Sequence, residues 1–339
     1  MVQINLKKHQ KKTYLQALAE QLDRENEYLC ISIGDFAKNY LESIEQSHGN
    51  QFLFLSDQIE NAIGICVGLA LEGFKLIVHA PATLLTRSSV STLFYGISYQ
   101  CLPITLVGLH AYWQMVSSLQ NFEDLGFFSA LPNFSVMEIS EQSEIALFFK
   151  SLNESSLRPI YLRLPILDLP SYFPKDAELH FDQISVLRTG KDLLLISMGI
   201  CSAEISRLYA EMDLYRLSWT HLHLHQLSPF PKKDLMDYFG DELKGVITVE
   251  AHLTKNGLGA ELSKWISANE LPKQIKHIRL GLQDQFMQGS SMGYLMRKYG
   301  FDALSIVSSA EILLKRKLNI DLNRCPKNLC LEGDQIFYK

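Results

Sequence analysis

The sequence predicts an α/β protein built from two doubly wound domains. Three observations carry that expectation. Apolar runs of strand length alternate with longer amphipathic stretches, the pattern of β-α units around a parallel sheet. The alternation lapses over 169–185, where Pro170, Pro174 and several charges interrupt any period, and then restarts. At 339 residues the chain is long enough to bury two cores.

In the first domain, 1–168, a helix is predicted over 12–24, followed by the strand YLCISI. The stretch FLFLSDQIENAIGICVGLALEG, 52–73, reads as a short buried strand, a polar turn and a helix over 61–72. That helix carries Gly64 and Gly68 one turn apart on one face, where another backbone can approach closely. FKLIVHA, LPITLVGL, FSVMEI and IYLRLP supply further strands, with a helix over 141–151. The second domain, 186–318, begins with DLLLISMG and a helix over 202–212. WTHLHLHQL, a helix near Asp234, GVITVEAH, a helix over 257–268 and IKHIRLGL follow. Helices at 292–299 and near Glu311 close the domain, and 319–339 reads as a loop-like tail.

Composition excludes several classes. With 32 Lys+Arg against 37 Asp+Glu, the net charge is −5, and no basic patch interleaves with aromatics, so nucleic acid is not an expected partner. The basic amino terminus lacks the apolar core of a signal peptide. The longest apolar runs, such as LLLISMGI, are strand-sized, so no membrane span is expected and the cytoplasm is the expected address. Cys30, Cys66, Cys101 and Cys201 lie in apolar segments and read as buried thiols of a reducing compartment. Cys325 and Cys330 have no companion pair, so no disulfide or metal role is assigned to them.

Two further clusters have a sharp and a bland reading. His221, His223 and His225 would share one side of a strand, as a zinc triad could. Alternate residues of one strand do not close a tetrahedron unaided, and no metal is expected. Glu250 and His252 precede a glycine-containing turn into a helix, whose amino terminus could hold an anion or serve packing alone.

The chain resembles the carboxy-terminal half of transketolase, or the separate second subunit of split, two-gene transketolases, over about 12–314. In the first domain AIGICVGLALEG, LLTR, SYQCLPITLVGLHA, FEDLGFFSALPNFSVMEIS and PIYLRLP carry the likeness. In the second, GKDLLLISMG, TVEAHLTKNGLGAEL and RLGLQDQF followed by MRKYGF continue it. Their order and spacing, more than any one of them, make the match. Deoxyxylulose-phosphate synthase and the β-subunits of 2-oxoacid dehydrogenases are more distant likenesses.

The resemblance implies a pyrimidine-binding domain followed by a transketolase carboxy-terminal domain. It also implies thiamine diphosphate with Mg²⁺ held between domains of different subunits. The Gly-Asp-Gly motif for diphosphate and metal is missing, since Gly34-Asp35 and Gly240-Asp241 are followed by Phe and Glu. The cofactor could therefore bind only at an interface with a partner, an amino-terminal transketolase-like subunit. This chain would form a homodimer or heterotetramer through the Gly64/Gly68 helix and the second domain.

Carried over residue by residue, the family's cofactor-activating glutamate falls on Ile59, which can neither donate nor accept a hydrogen bond. Glu60 is adjacent, but one helical step turns it about 100° away. The ring that stacks on the pyrimidine falls on Leu84, with Arg87 retained; the exchange loses about 0.5–1.5 kcal/mol of stacking. His110 matches, but the family's Thr-His pair becomes Ser118-Leu119. Tyr161 and Arg163 match, while the second, phosphate-clamping arginine falls on Ile166.

These positions make Ile59, Leu84 and Arg87 the cofactor-facing set, Glu60 and His110 the remaining catalytic candidates, and Arg163 a substrate-binding candidate. The reading is a divergent, catalytically degenerate second subunit. An active thiamine diphosphate-dependent ketol or acyl transferase with an atypical substrate stays open, because glyoxylate carboligase-type enzymes dispense with the glutamate. A cofactor-free interaction module is the third reading.

Overall fold

The structure, a computed structural model, describes residues 9–109, 121–154, 158–165, 171–173, 179–287 and 290–325. It falls into two compact units, Met1–Asp168 and Leu169–Lys339.

The first unit runs α1 (His9–Arg24), β1 (Tyr28–Ile33), α2 (Gly34–Tyr40), α3 (Glu42–Ser47), β2 (Phe52–Leu55), α4 (Ile59–Leu71), β3 (Lys75–Pro81) and α5 (Ala82–Arg87). A π-helical segment, Thr92–Ser98, precedes β4 (Ile104–Leu109), α6 (Asp124–Ser129), β5 (Ser135–Glu138), α7 (Gln142–Glu154) and β6 (Ile160–Arg163). These strands lie in the order β5-β6-β4-β3-β1-β2 and pair in parallel throughout. Every residue of β4 and β6 is buried, as expected of parallel strands covered on both faces.

Helix α1 packs by Tyr14, Leu18 and Leu22, spaced four apart and each 0% exposed. A polar clip fixes it to the sheet. The Tyr14 hydroxyl meets Nε2 of the buried His79 at 2.8 Å, and Nδ1 of His79 lies 3.3 Å from the Ile31 carbonyl. A carbonyl only accepts, so Nδ1 carries the proton and Nε2 accepts from Tyr14. Burial pushes the His79 imidazole down to about 4, which keeps it neutral.

The second unit runs β7 (Ile184–Arg188), β8 (Leu193–Ser197), α8 (Ile200–Ser206), α9 (Tyr209–Leu214), β9 (Trp219–Leu224), β10 (Gln226–Ser228) and β11 (Gly245–Leu253). α10 (Leu258–Ala268), β12 (His277–Leu282), α11 (Met292–Tyr299) and α12 (Ala303–Leu314) complete it. Its five-stranded sheet has the order β12-β11-β8-β9-β7. All neighbours are parallel except β7, which runs antiparallel to β9.

Two local expectations change. The helix expected over 202–212 is two helices, α8 and α9, broken around Arg207 and Leu208. The stretch read as linker up to 185 already contains the start of β7. β7 is an edge strand with no fully buried residue, so it shows no apolar run. Among the described residues no helix is long and apolar enough to cross a membrane.

Candidate active site

Helix α4 presents two unlike faces. Ile59, Ala62, Ile63, Cys66 and Ala70 are buried, while Glu60, Asn61, Gly64, Ile65, Gly68 and Leu71 are exposed. Ile59 opens the helix and is 5% exposed; its amide donates to the Asp57 carbonyl at 2.8 Å. The hydrocarbon thus faces the protein and the neighbouring carboxylate of Glu60 faces out. A Cβ built on Gly64 or Gly68 would touch nothing within 4 Å among the described residues. Cys66 lies on the opposite, buried side, where burial pushes its thiol up to about 12. It is packing, not a thiolate nucleophile.

The turn after β1 packs against the turn before α4. Gly34 has φ +80°, and a Cβ there would lie 2.0 Å from Oδ1 of Asp57. Sequence reasoning passed over Asp57, although a Gly-Asp turn after a strand is the signal that marks such a corner.

Leu84 is half-buried on α5, and Arg87 is exposed at the end of that helix. Arg87 donates from Nε (2.9 Å) and Nη2 (2.6 Å) to Oε1 of Glu123. Oε2 of Glu123 accepts from the Phe122 amide at 3.0 Å.

Arg163 closes β6 inside the unit. It is 0% exposed, as is Asp124 at the start of α6, while Glu138 is 2% exposed. Its Nε donates to Oδ2 of Asp124 at 2.9 Å, its Nη2 donates to Oδ1, and its Nη1 donates to Oε1 of Glu138 at 3.3 Å. The fork-on-fork pairing with Asp124 is the geometry a guanidinium favours. Tyr161 adds a 2.6 Å hydrogen bond to Oδ2 of Asp124 and stacks on Phe128 with centroids 3.9 Å apart. Burial, then the Asp124 charge, holds the Tyr161 phenol well above its usual range, so it remains a donor. Gly108 on β4 leaves room for that hydroxyl, since a Cβ there would lie 2.3 Å from Tyr161 Oη. The arginine expected to meet substrate is therefore engaged within its own chain.

His110, Ser118, Leu119 and Ile166 lie outside the described residues. Asn121 is 0% exposed, and among the described residues neither its amide oxygen nor its nitrogen has a partner. Sequence reasoning did not single it out.

In the second unit, Glu250 fills the turn before α10. Its Oε2 accepts from the Leu258 amide at 2.7 Å and its Oε1 from the Gly259 amide at 3.0 Å. The anion at that helix terminus is the protein's own side chain.

Against thiamine diphosphate, these residues do not fit one requirement. At the first turn of α4, where the resemblance puts an acid, the structure has the buried hydrocarbon of Ile59.

The two parallel-rich α/β units have the fold of solved transketolase structures. No family model matches the chain. A 1-deoxy-D-xylulose-5-phosphate synthase from Halothermothrix orenii is 26% identical over 78% of this chain and 41% of its own length. The chain thus spans less than half of that relative. A 6-deoxy-6-sulfo-D-fructose transketolase subunit from Clostridium sp. is 22% identical over 90% of this chain and 94% of its own. Among solved structures, a split-gene transketolase described as an inactive β4 tetramer matches with a TM-score of 0.81 at 21% identity. That match covers 91% of this chain and 99% of the other. Over most of its length the chain is thus similar to separate transketolase subunits and to a transketolase carboxy-terminal section.

Proposed function

We propose that this chain is the second subunit of a split, transketolase-like assembly and that its own pyrimidine pocket no longer activates the cofactor. One observation carries the reading: Ile59 is buried at the first turn of α4 while Glu60 is exposed. A side chain without a titratable group cannot exchange a proton with the pyrimidine ring. The relatives named as transketolase subunits support a heteromeric setting. The open α4 face, with Gly64 and Gly68 bare and Ile65 and Leu71 39% and 60% exposed, supports a subunit contact there. On this reading the diphosphate and Mg²⁺ are held by a partner chain, and the half-buried Leu84 gives the ring an apolar wall.

A second reading, an active ketol or acyl transferase with an atypical acceptor, is favoured by the buried amide of Asn121, which meets no partner among the described residues. One experiment separates the two. The chain is co-purified with a candidate chain carrying Gly-Asp-Gly and a downstream Asn. Thiamine diphosphate with Mg²⁺ is then titrated calorimetrically, and turnover of ketose and 2-oxoacid donors is assayed. The first reading expects complex formation without turnover. Saturable binding with turnover overturns it in favour of the second, and absence of any complex overturns both.

A further inference from the structure

The second unit holds a continuous polar chain that the proposed function does not use. Ser197 ends β8 and pairs in register with His223 on β9, and His221 lies two residues earlier on the same side. α8 and α9 supply Ser202 and Tyr209. Four hydrogen bonds join the five groups end to end. Tyr209 Oη meets His221 Nδ1 at 2.6 Å, and His221 Nε2 meets Ser197 Oγ at 2.7 Å. Ser197 Oγ meets Ser202 Oγ at 2.6 Å, and Ser202 Oγ meets His223 Nδ1 at 2.6 Å. Ser197, Ser202, His221 and His223 are each 0% exposed, whereas Tyr209 is half-buried. Burial and the neighbouring His223 hold the His221 imidazole well below its usual range, so it is neutral and carries one ring proton.

That count restricts the chain. A neutral imidazole donates from one nitrogen and accepts at the other, and a hydroxyl between two partners donates to one and accepts from the other. If Tyr209 donates, His221 must carry its proton on Nε2, Ser197 must donate to Ser202, and Ser202 to His223. His223 then carries its proton on Nε2. If the chain runs the other way, both rings carry it on Nδ1. No arrangement that keeps all four bonds gives the two histidines different tautomers.

We propose that these five residues form one two-state unit, in which the half-buried phenol of Tyr209 sets the tautomer of the fully buried His223. Switching direction breaks each O–H or N–H bond as the next one forms. One proton enters from water at the half-buried Tyr209 and one leaves from Nε2 of His223 to a neighbouring base. Such a unit would transmit a hydrogen-bonding change at Tyr209 into the interior without moving the backbone.

The test is ring-nitrogen NMR of the full chain with ¹⁵N-labelled histidine, assigned by His221→Asn and His223→Asn. His221 should be neutral at pH 7, and the two rings should share one tautomer. Opposite tautomers in the unsubstituted chain would overturn the proposal. Tyr209→Phe, at the half-buried end, should shift the ring-nitrogen resonances of His223. In Ser197→Ala, which cuts the chain midway, adding Tyr209→Phe should leave His223 unchanged. A His223 that ignores Tyr209→Phe in the uncut chain, or responds to it equally in the cut one, also overturns it. If Ser197→Ala does not fold, Ser202→Ala makes the same cut one bond later.

Discussion

Gly257 is a glycine because Glu250 lies where its Cβ would be: a Cβ there would meet Oε2 of Glu250 at 1.8 Å. The glycine lets the carboxylate reach the first amides of α10, and the carboxylate occupies the place an outside anion would take. Removing it should have two effects. Glu250→Ala should cost about 1–3 kcal/mol by leaving buried amides unsatisfied, read as a lower urea midpoint. It should also create a sulfate site, so that sulfate raises the melting temperature of the variant more than that of the parent chain. An equal response in both would show that Glu250 does not fill the terminus.

Asp124 and Arg163 make the second prediction. A buried ion pair contributes little net stability, but breaking it strands the other charge. Asp124→Ala should therefore cost about 3–5 kcal/mol. Asp124→Ala combined with Arg163→Met should cost clearly less than the sum of the two single changes, since neither charge of this pair then stays behind without the other. Denaturant unfolding of the four chains measures the coupling, and strict additivity would remove it.

Gly64 and Gly68 give the third. Both lie in a helix, both are exposed, and a Cβ on either touches nothing within 4 Å among the described residues. Gly64→Ala and Gly68→Ala should each stabilise the solitary chain by about 0.5–1 kcal/mol, because alanine is the better helix former. Where the face packs closely against another subunit, the same methyl groups should weaken association. Sedimentation alongside thermal melts checks both signs. Association unchanged in both variants would place the contact elsewhere.

His79 gives a pH dependence. Its folded value, about 4, lies below the ordinary 6.5. Between those values the unfolded chain binds a proton that the folded chain refuses. The contribution to stability is present above about pH 6.5 and is lost as pH falls towards 4, at about 1.4 kcal/mol per pH unit for the one group. His277, also held near 4 by burial, acts in the same direction. His79→Gln keeps a donor and an acceptor but cannot titrate, so its unfolding free energy should fall less steeply between pH 6.5 and 5. Parallel slopes would mean that His79 is not buried neutral.

What the sequence disclosed follows from where side chains end up. The strands of the first unit were legible because β4 and β6 are covered on both faces and read as unbroken apolar runs. β7 was not, because an edge strand with a half-exposed pattern leaves no such run. The break between α8 and α9 was hidden because apolar spacing continues through it. At the candidate site, the hydrocarbon at position 59 could be read directly, and so could the outward turn of Glu60. The role of Arg163 could not, because its partner Asp124 is 39 residues away in sequence and nothing local announces the pairing. Asn121 was equally silent, since an amide shows its lack of partners only once its surroundings are folded.

The internal pairing of Arg163 also decides how this scaffold would be redesigned. Returning an acid to position 59 changes one side chain at a helix start. Recruiting Arg163 to hold a phosphorylated substrate would first unseat Asp124, Glu138 and Tyr161 together. An engineer seeking sugar-phosphate chemistry here would do better to import a new cation on the rim than to redirect the one already in the wall.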